Sequence, residues 1–121
     1  MGGLVGSFYT RIHYASGRVY SNSGAVVDPG RYVAVGAFAS GLASDMLPDP
    51  ALGRVFAVSG DGTLTAWDMN TFTPLGSIVL PGFTDEHPVP RHVRIVRWSA
   101  DGLAINDARR LYIVRTTLAA P

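Results

Sequence analysis

Residues 53–78, "GRVFAVSGDGTLTAWDMNTFTPLGSI", decide the fold. Short extended runs are separated there by Gly, Asp, Asn and Pro, and a Trp-Asp pair closes the second run. Val, Phe, Thr, Leu and Trp gather in runs of four to eight residues flanked by turn formers, which predicts strands rather than a helix. In Arg54–Ser59 the side chains alternate, with Val55, Ala57 and Ser59 on one face and Arg54, Phe56 and Val58 on the other. Both faces carry apolar groups, so the expected sheet is covered on both sides. Stacked propeller blades and a two-sheet sandwich share that property.

A repeat separates the two. "GRVYSNSGAVVD", from Gly17, lines up with the stretch from Gly53, and a weaker copy starts at Gly102 in "DGLAINDARRLYIVR" after the insertion "GFTDEHPVPR". The first runs of the copies are "SFYTRIHYA", "GLASDMLPDPA" and "HVRIVRWSA". A tight turn follows each, at Ser16-Gly17, Leu52-Gly53 and Asp101-Gly102, with Gly supplying a positive φ. Two more runs come next, and "YVAVGAFA" and "LGSIVLPG" add a fourth to the first two copies. A sandwich has no reason to repeat a four-strand meander, whereas a propeller is built from it. The predicted architecture is therefore all-β: a β-propeller fragment of about three four-stranded antiparallel blades, the last incomplete. The blades fall at residues 8–39, 41–82 and 92–118 of a single domain spanning 1–121.

Composition agrees. The 121 residues are 47% hydrophobic and only 16% charged, which favours a packed core over disorder. The 14 Gly and 8 Pro point to many turns between short elements. The net charge of +1 gives no strong field for nucleic acid or an anionic membrane. All 10 basic residues are Arg, spread along the chain as a GC-rich coding bias would spread them. With no Cys there is no disulfide, thiolate metal site or Cys nucleophile. "MGGLVGSFYT" lacks the basic and apolar regions of a secretory signal, and no run reaches the length of a membrane span. The chain is read as cytosolic, or as a piece of a longer, exported or cell-surface protein.

"VRWSADGLAI" resembles the strand-turn-strand opening of WD-type blades, and "SGDGTLTAWDMNTFTPLGSI" resembles their Asp-Gly turn, Trp-Asp strand end and returning fourth strand. The whole 53–78 stretch is also similar to the YVTN-type and quinoprotein-like repeats of bacterial propellers. Such blades close into rings of four to eight, so the resemblance implies a longer propeller or association of copies, most simply two chains. Propellers host enzymes, ligand binders and scaffolds alike, and the leading expectation here is a non-catalytic module for binding or scaffolding. The rival is a lactonase-like or quinoprotein-like enzyme with its site on the central axis, where acidic or His residues would recur on the innermost strands. Those strands offer Arg11, His13, Asp45, Arg94 and Arg97, which form no consistent set.

In a four-strand meander the loops alternate between two rims. One rim should hold Ser23, Asp61, Asn106, Asp107 and Arg109 together with the insertion at 82–91, and long loops on a rigid scaffold concentrate function. Asp85, Glu86 and His87 are the densest group of acid-base or metal-binding side chains, with Asp61 or Asp107 as the oxygen ligands that would have to join them. Asp61, Asp85, Glu86, His87, Asp107 and Arg109 are the candidate rim-binding residues. His13 and His92 read as packed or hydrogen-bonded strand residues. In "RHVRIVRW" the alternation puts Arg91, Val93, Ile95 and Arg97 on one face and His92, Arg94, Val96 and Trp98 on the other, splitting the basic groups. Asp61, Asp101 and Asp68 precede or open turns, and Trp67-Asp68 reads as a strand-end device. No nucleophile elbow, phosphate loop or paired-His metal motif is present. The expectation is no catalytic residue, no cofactor, no resident metal and no nucleic acid; the partners are other proteins or further copies of the chain.

Overall fold

The computed structural model describes residues 12–31, 33–38, 43, 45–83, 93–106 and 110–120. They form three antiparallel sheets. Sheet 1 runs β1 (Ile12–Ala15), β2 (Arg18–Ser21), β3 (Ala25–Asp28), β4 (Val33–Ala37), and sheet 2 runs β5 (Asp45–Asp49), β6 (Arg54–Val58), β7 (Thr63–Asp68), β8 (Pro74–Val79). Sheet 3 has β9 (Arg94–Ser99), β10 (Gly102–Asn106) and β11 (Leu111–Arg115), and a 3-10 turn at Thr117–Ala119 follows. Each sheet is a meander in chain order, consistent with propeller blades of which the third is incomplete.

The alternation in β6 becomes two cores. Val55 and Ala57 join Tyr20, Val26, Phe38, Met46 and Trp67 between sheets 1 and 2. Phe56 and Val58 join Leu64, Ala66, Val93, Ile95, Leu103 and Ile105 between sheets 2 and 3. Sheet 2 is thus the filling of a stack, and its strands carry apolar residues on both faces for that reason. Trp67-Asp68 closes β7, as expected, with Asp68 capping the turn that follows. The Trp67 ring belongs to this interior: it meets Phe38 edge-on at 5.8 Å, and Phe38 meets Phe72 at 5.0 Å.

Sheets 1 and 2 repeat in detail. The amides of Gly24 and Gly62 each donate to the serine carbonyl three residues back, and both glycines have positive φ. Phe38 N bonds Gly24 O and Leu80 N bonds Gly62 O, each at 2.8 Å. A bulge interrupts the third-to-fourth strand pairing between Val26 and Val27 and again between Ala66 and Trp67. Beside each bulge lies a glycine covered by a side chain from the next unit. A Cβ on Gly36 would sit 2.6 Å from the Phe72 ring, and one on Gly76 would sit 2.8 Å from Leu118.

Sheet 3 departs from the pattern in two ways. Gly17 and Gly53 have positive φ as expected, but Gly102 does not. It is required sterically, since a Cβ there would lie 2.7 Å from Ser99 Oγ and from the Trp98 ring. A bulge at Gly102/Leu103 leaves Trp98 without a paired partner in β10. The third copy is also displaced by one residue. Leu103, directly after the turn glycine, faces sheet 2, whereas in the second copy Val55, two residues after its glycine, takes the corresponding face.

The first strands of the three sheets adjoin one another. Asp45, buried at the start of β5, ties them together: Oδ1 lies 3.1 Å from His13 Nε2 in β1, and Oδ2 accepts the Ile95 N–H of β9 at 3.0 Å. Arg97, later in β9, pairs with Asp49 at the end of β5, so β5 and β9 run in the same direction. Replacing Asp45 by Ala strands a buried amide and an imidazole, and it should cost about 3 kcal/mol. Asp45→Asn, which keeps an acceptor for Ile95, should cost less. Urea unfolding measures both, and an Asp45→Ala shift under about 0.5 kcal/mol would remove this role.

Candidate functional site

The first strands, β1, β5 and β9, carry His13, Asp45, Arg94 and Arg97. Of these, His13, Asp45 and Arg97 are engaged with neighbouring strands and segments. His13 and Asp45 pair as above. Arg97 in β9 pairs with Asp49 at the end of β5, and its Nη1 donates to the carbonyl of Ala119 at 2.8 Å and of Ser99 at 3.1 Å. Its guanidinium also stands over the Phe56 ring, 5.7 Å from the centroid, so Arg97 shares the face of Val93 and Ile95 as the alternation predicted, and that face meets sheet 2. Arg94 points to the other side and is exposed. These interactions hold sheets and chain segments together, and His13 is the hydrogen-bonded strand histidine that the sequence suggested. Arg11 lies outside the described residues.

Of the candidate rim residues, Asp61 is the one within the described part. Asp85, Glu86 and His87 fall in 84–92, as does His92, and Asp107 and Arg109 fall in 107–109, all outside it. The Asp61 carboxylate accepts from the Ser59 hydroxyl and from the Thr63 amide, closing the β6–β7 turn. Asp68 does the same for the next loop, accepting from Asn70 N at 2.8 Å and Thr71 N at 2.9 Å. Hydrogen bonding to the charged form lowers both pKa values: the Ser59 hydroxyl leads at Asp61 and the Thr71 amide at Asp68. Among the described residues no group of three or more His, Asp or Glu side chains is placed to hold a metal.

The opposite rim, which carries the turns at 16–17, 50–53 and 100–101, holds what the sequence did not single out. A largely apolar cleft of about 420 Å³ opens between sheets 2 and 3, lined by Leu47, Pro48, Pro50, Leu52 and Ala100 with Arg97 at its side. A more polar cleft of about 310 Å³ opens between sheets 1 and 2. Residues 116–120 return to this rim. Arg54, the first residue of β6, donates through Nη1 to the carbonyls of Leu118 at 2.6 Å and Ala120 at 2.8 Å. Ala119 is buried in the core between sheets 2 and 3.

Sheet 3 presents its outer face to solvent. Val96 is 52% exposed, Trp98 50%, Ile113 49% and Leu111 68%. Val96, Ala104 and Ile113 are cross-strand partners and form the centre of this face. Arg115 stacks on Trp98 at 5.3 Å and lies 3.8 Å from Asp101. The comparable outward positions of sheet 2, Phe56 and Val58, are completely buried by sheet 3. At the other end of the stack Ile12 and Tyr14 are exposed on the outward side of β1, where Val27 is buried. The arrangement offers apolar contact surface and two clefts. It offers no nucleophile aligned with a base among the described residues.

Neither models of known protein families nor the curated proteins match the chain.

The carboxylates of the turns set a pH dependence. Because folding lowers the Asp61 and Asp68 pKa values, their stabilising contribution is present above the ordinary carboxylate value and is lost as pH falls through the lowered one. Stability should therefore decline below about pH 4, and Asp68→Asn should remove part of that decline. Carbon-detected NMR titration should find both midpoints below those of the same residues in the unfolded chain, and midpoints at or above them would contradict the turn geometry.

Proposed function

We propose that the chain is a non-catalytic β-propeller module for binding or scaffolding, part of a larger or oligomeric propeller, and that the outer face of sheet 3 is the surface on which a further blade stacks. The observation that carries this is the half-exposed strip of Val96, Trp98, Ile113 and Leu111. A sheet of this kind is stable when both faces are covered, and contiguous exposed apolar patches on soluble proteins mark interaction sites. Within the chain, the forward face of each sheet packs on the backward face of the next. Sheet 3 has its forward face open, and on the backward side of sheet 1 the β1 edge exposes Ile12 and Tyr14 while Val27 further across is buried. The two ends are complementary in sense, so a second copy, placed head to tail, supplies what each lacks. Two copies would bring about six blades together, within the four to eight that close a ring.

The rival reading, an enzyme with an axial site, draws no support from the inner strands, where His13, Asp45 and Arg97 spend their polar atoms on neighbouring strands. Sedimentation velocity over a concentration series tests the proposal. The chain should show a mass above that of the monomer that falls on dilution. Val96→Glu with Ile113→Glu, at exposed positions, should give a folded monomer. A parent chain that stays monomeric and well folded at high micromolar concentration would sink the idea.

A further inference from the structure

The positions of Arg18 and Arg54 correspond in the repeat, "GRVY" against "GRVF", and each opens the second strand of its sheet. Their surroundings differ. Arg54 is saturated by the carbonyls of the 116–120 segment, which packs between sheets 2 and 3 with Leu118 over Gly76. Between sheets 1 and 2 the covering role over Gly36 falls to Phe72, from the β7–β8 loop. No described carbonyl or carboxylate reaches Arg18. Instead this half-buried arginine lines the 310 Å³ cleft with Ser16, Tyr20, Gly53 and Asn70.

We propose that this cleft is a binding site for a small carboxylate. A partly desolvated guanidinium without a counter-ion favours an anion, and its planar fork fits two coplanar oxygens in a bidentate pair. Among the described residues no acidic side chain lines the cleft. Asp49 and Asp68, chain neighbours of the lining Pro50 and Met69, are committed elsewhere, Asp68 to the amides of Asn70 and Thr71 and Asp49 to Arg97. The other side chains able to donate are neutral, the hydroxyls of Ser16 and Tyr20 and the amide of Asn70, so a single negative charge is matched and a dianion is not. The volume is at the small end of ligand sites and suits an organic acid or the C-terminal carboxylate of a peptide. The site is separate from the outer face of sheet 3 and stands whether or not copies associate.

Chemical-shift titration by ¹H–¹⁵N NMR on the full chain tests it, with N-acetyl-Ala-Ala as the free acid, the same compound as its C-terminal amide, and lactate. The free carboxylates should shift the Arg18 Nε–H and the Asn70 side-chain amide. The capped amide should bind about tenfold more weakly or worse, and Arg18→Gln should weaken the acids by a similar factor with the rest of the spectrum unchanged. Asn70→Ala, in an exposed loop, should give a smaller loss. Lactate binding as tightly as the peptide acid assigns the site to small organic acids, and binding of the peptide acid alone assigns it to peptide C-termini. The proposal fails if neither acid moves these resonances, if the amide binds equally well, or if Arg18→Gln binds like the parent.

Discussion

Val55 and Phe56 are neighbours in one strand, and each is completely buried in a different core. That constraint, a sheet that must be covered on both faces, governs the rest of the molecule. Burying one such side chain is worth about 1.5–3 kcal/mol, so a four-strand sheet with two apolar faces is a liability alone and a strong organiser between partners. Sheets 1 and 3 exist in their positions because sheet 2 requires them. Asp45 then limits how they can approach, because its two oxygens reach one strand in each neighbouring sheet and bring the three first strands together.

The same meander makes two unlike interfaces. Between sheets 1 and 2 an aromatic group of Phe38, Trp67 and Phe72 fills the space, and Phe72 closes over Gly36. Between sheets 2 and 3 the core is aliphatic around Phe56, and the 3-10 turn closes over Gly76 under two arginines. Repetition therefore preserves the backbone and its bulges while leaving the interface chemistry free to vary. An arginine that is a structural clamp in one sheet becomes an unmatched donor in the equivalent place of another. The differences between copies, rather than their shared residues, are where recognition is to be sought.

Much of the candidate site was hidden from the sequence for a physical reason. Asp61 and Asp68 stand out as acidic residues beside turns, and their turn-closing role follows from local geometry that short spacing reveals. Arg18, Arg54 and Arg97 look alike among ten scattered arginines. What separates them is which carbonyl lies within 3 Å, and those carbonyls are supplied by residues far away in the chain. His13 and Asp45 stand 32 residues apart in the chain and share no pattern. They are brought together by stacking of sheets, which no periodicity encodes.

By itself the sequence determined the strand runs, the turns at Gly17, Gly53 and Asp61-Gly62, the two-faced character of β6 and the meander that repeats, because period-two alternation and glycine's access to positive φ are local properties. Tertiary structure decided the one-residue displacement of sheet 3, the interior place of Trp67, the return of residues 116–120 and the exposed face around Trp98. A bulge at Gly102/Leu103 shifts the pairing of β10 with β9 and leaves Trp98 unpaired, with its ring against that glycine. Register and burial depend on what a strand is pressed against, and that is known only once the sheets have met.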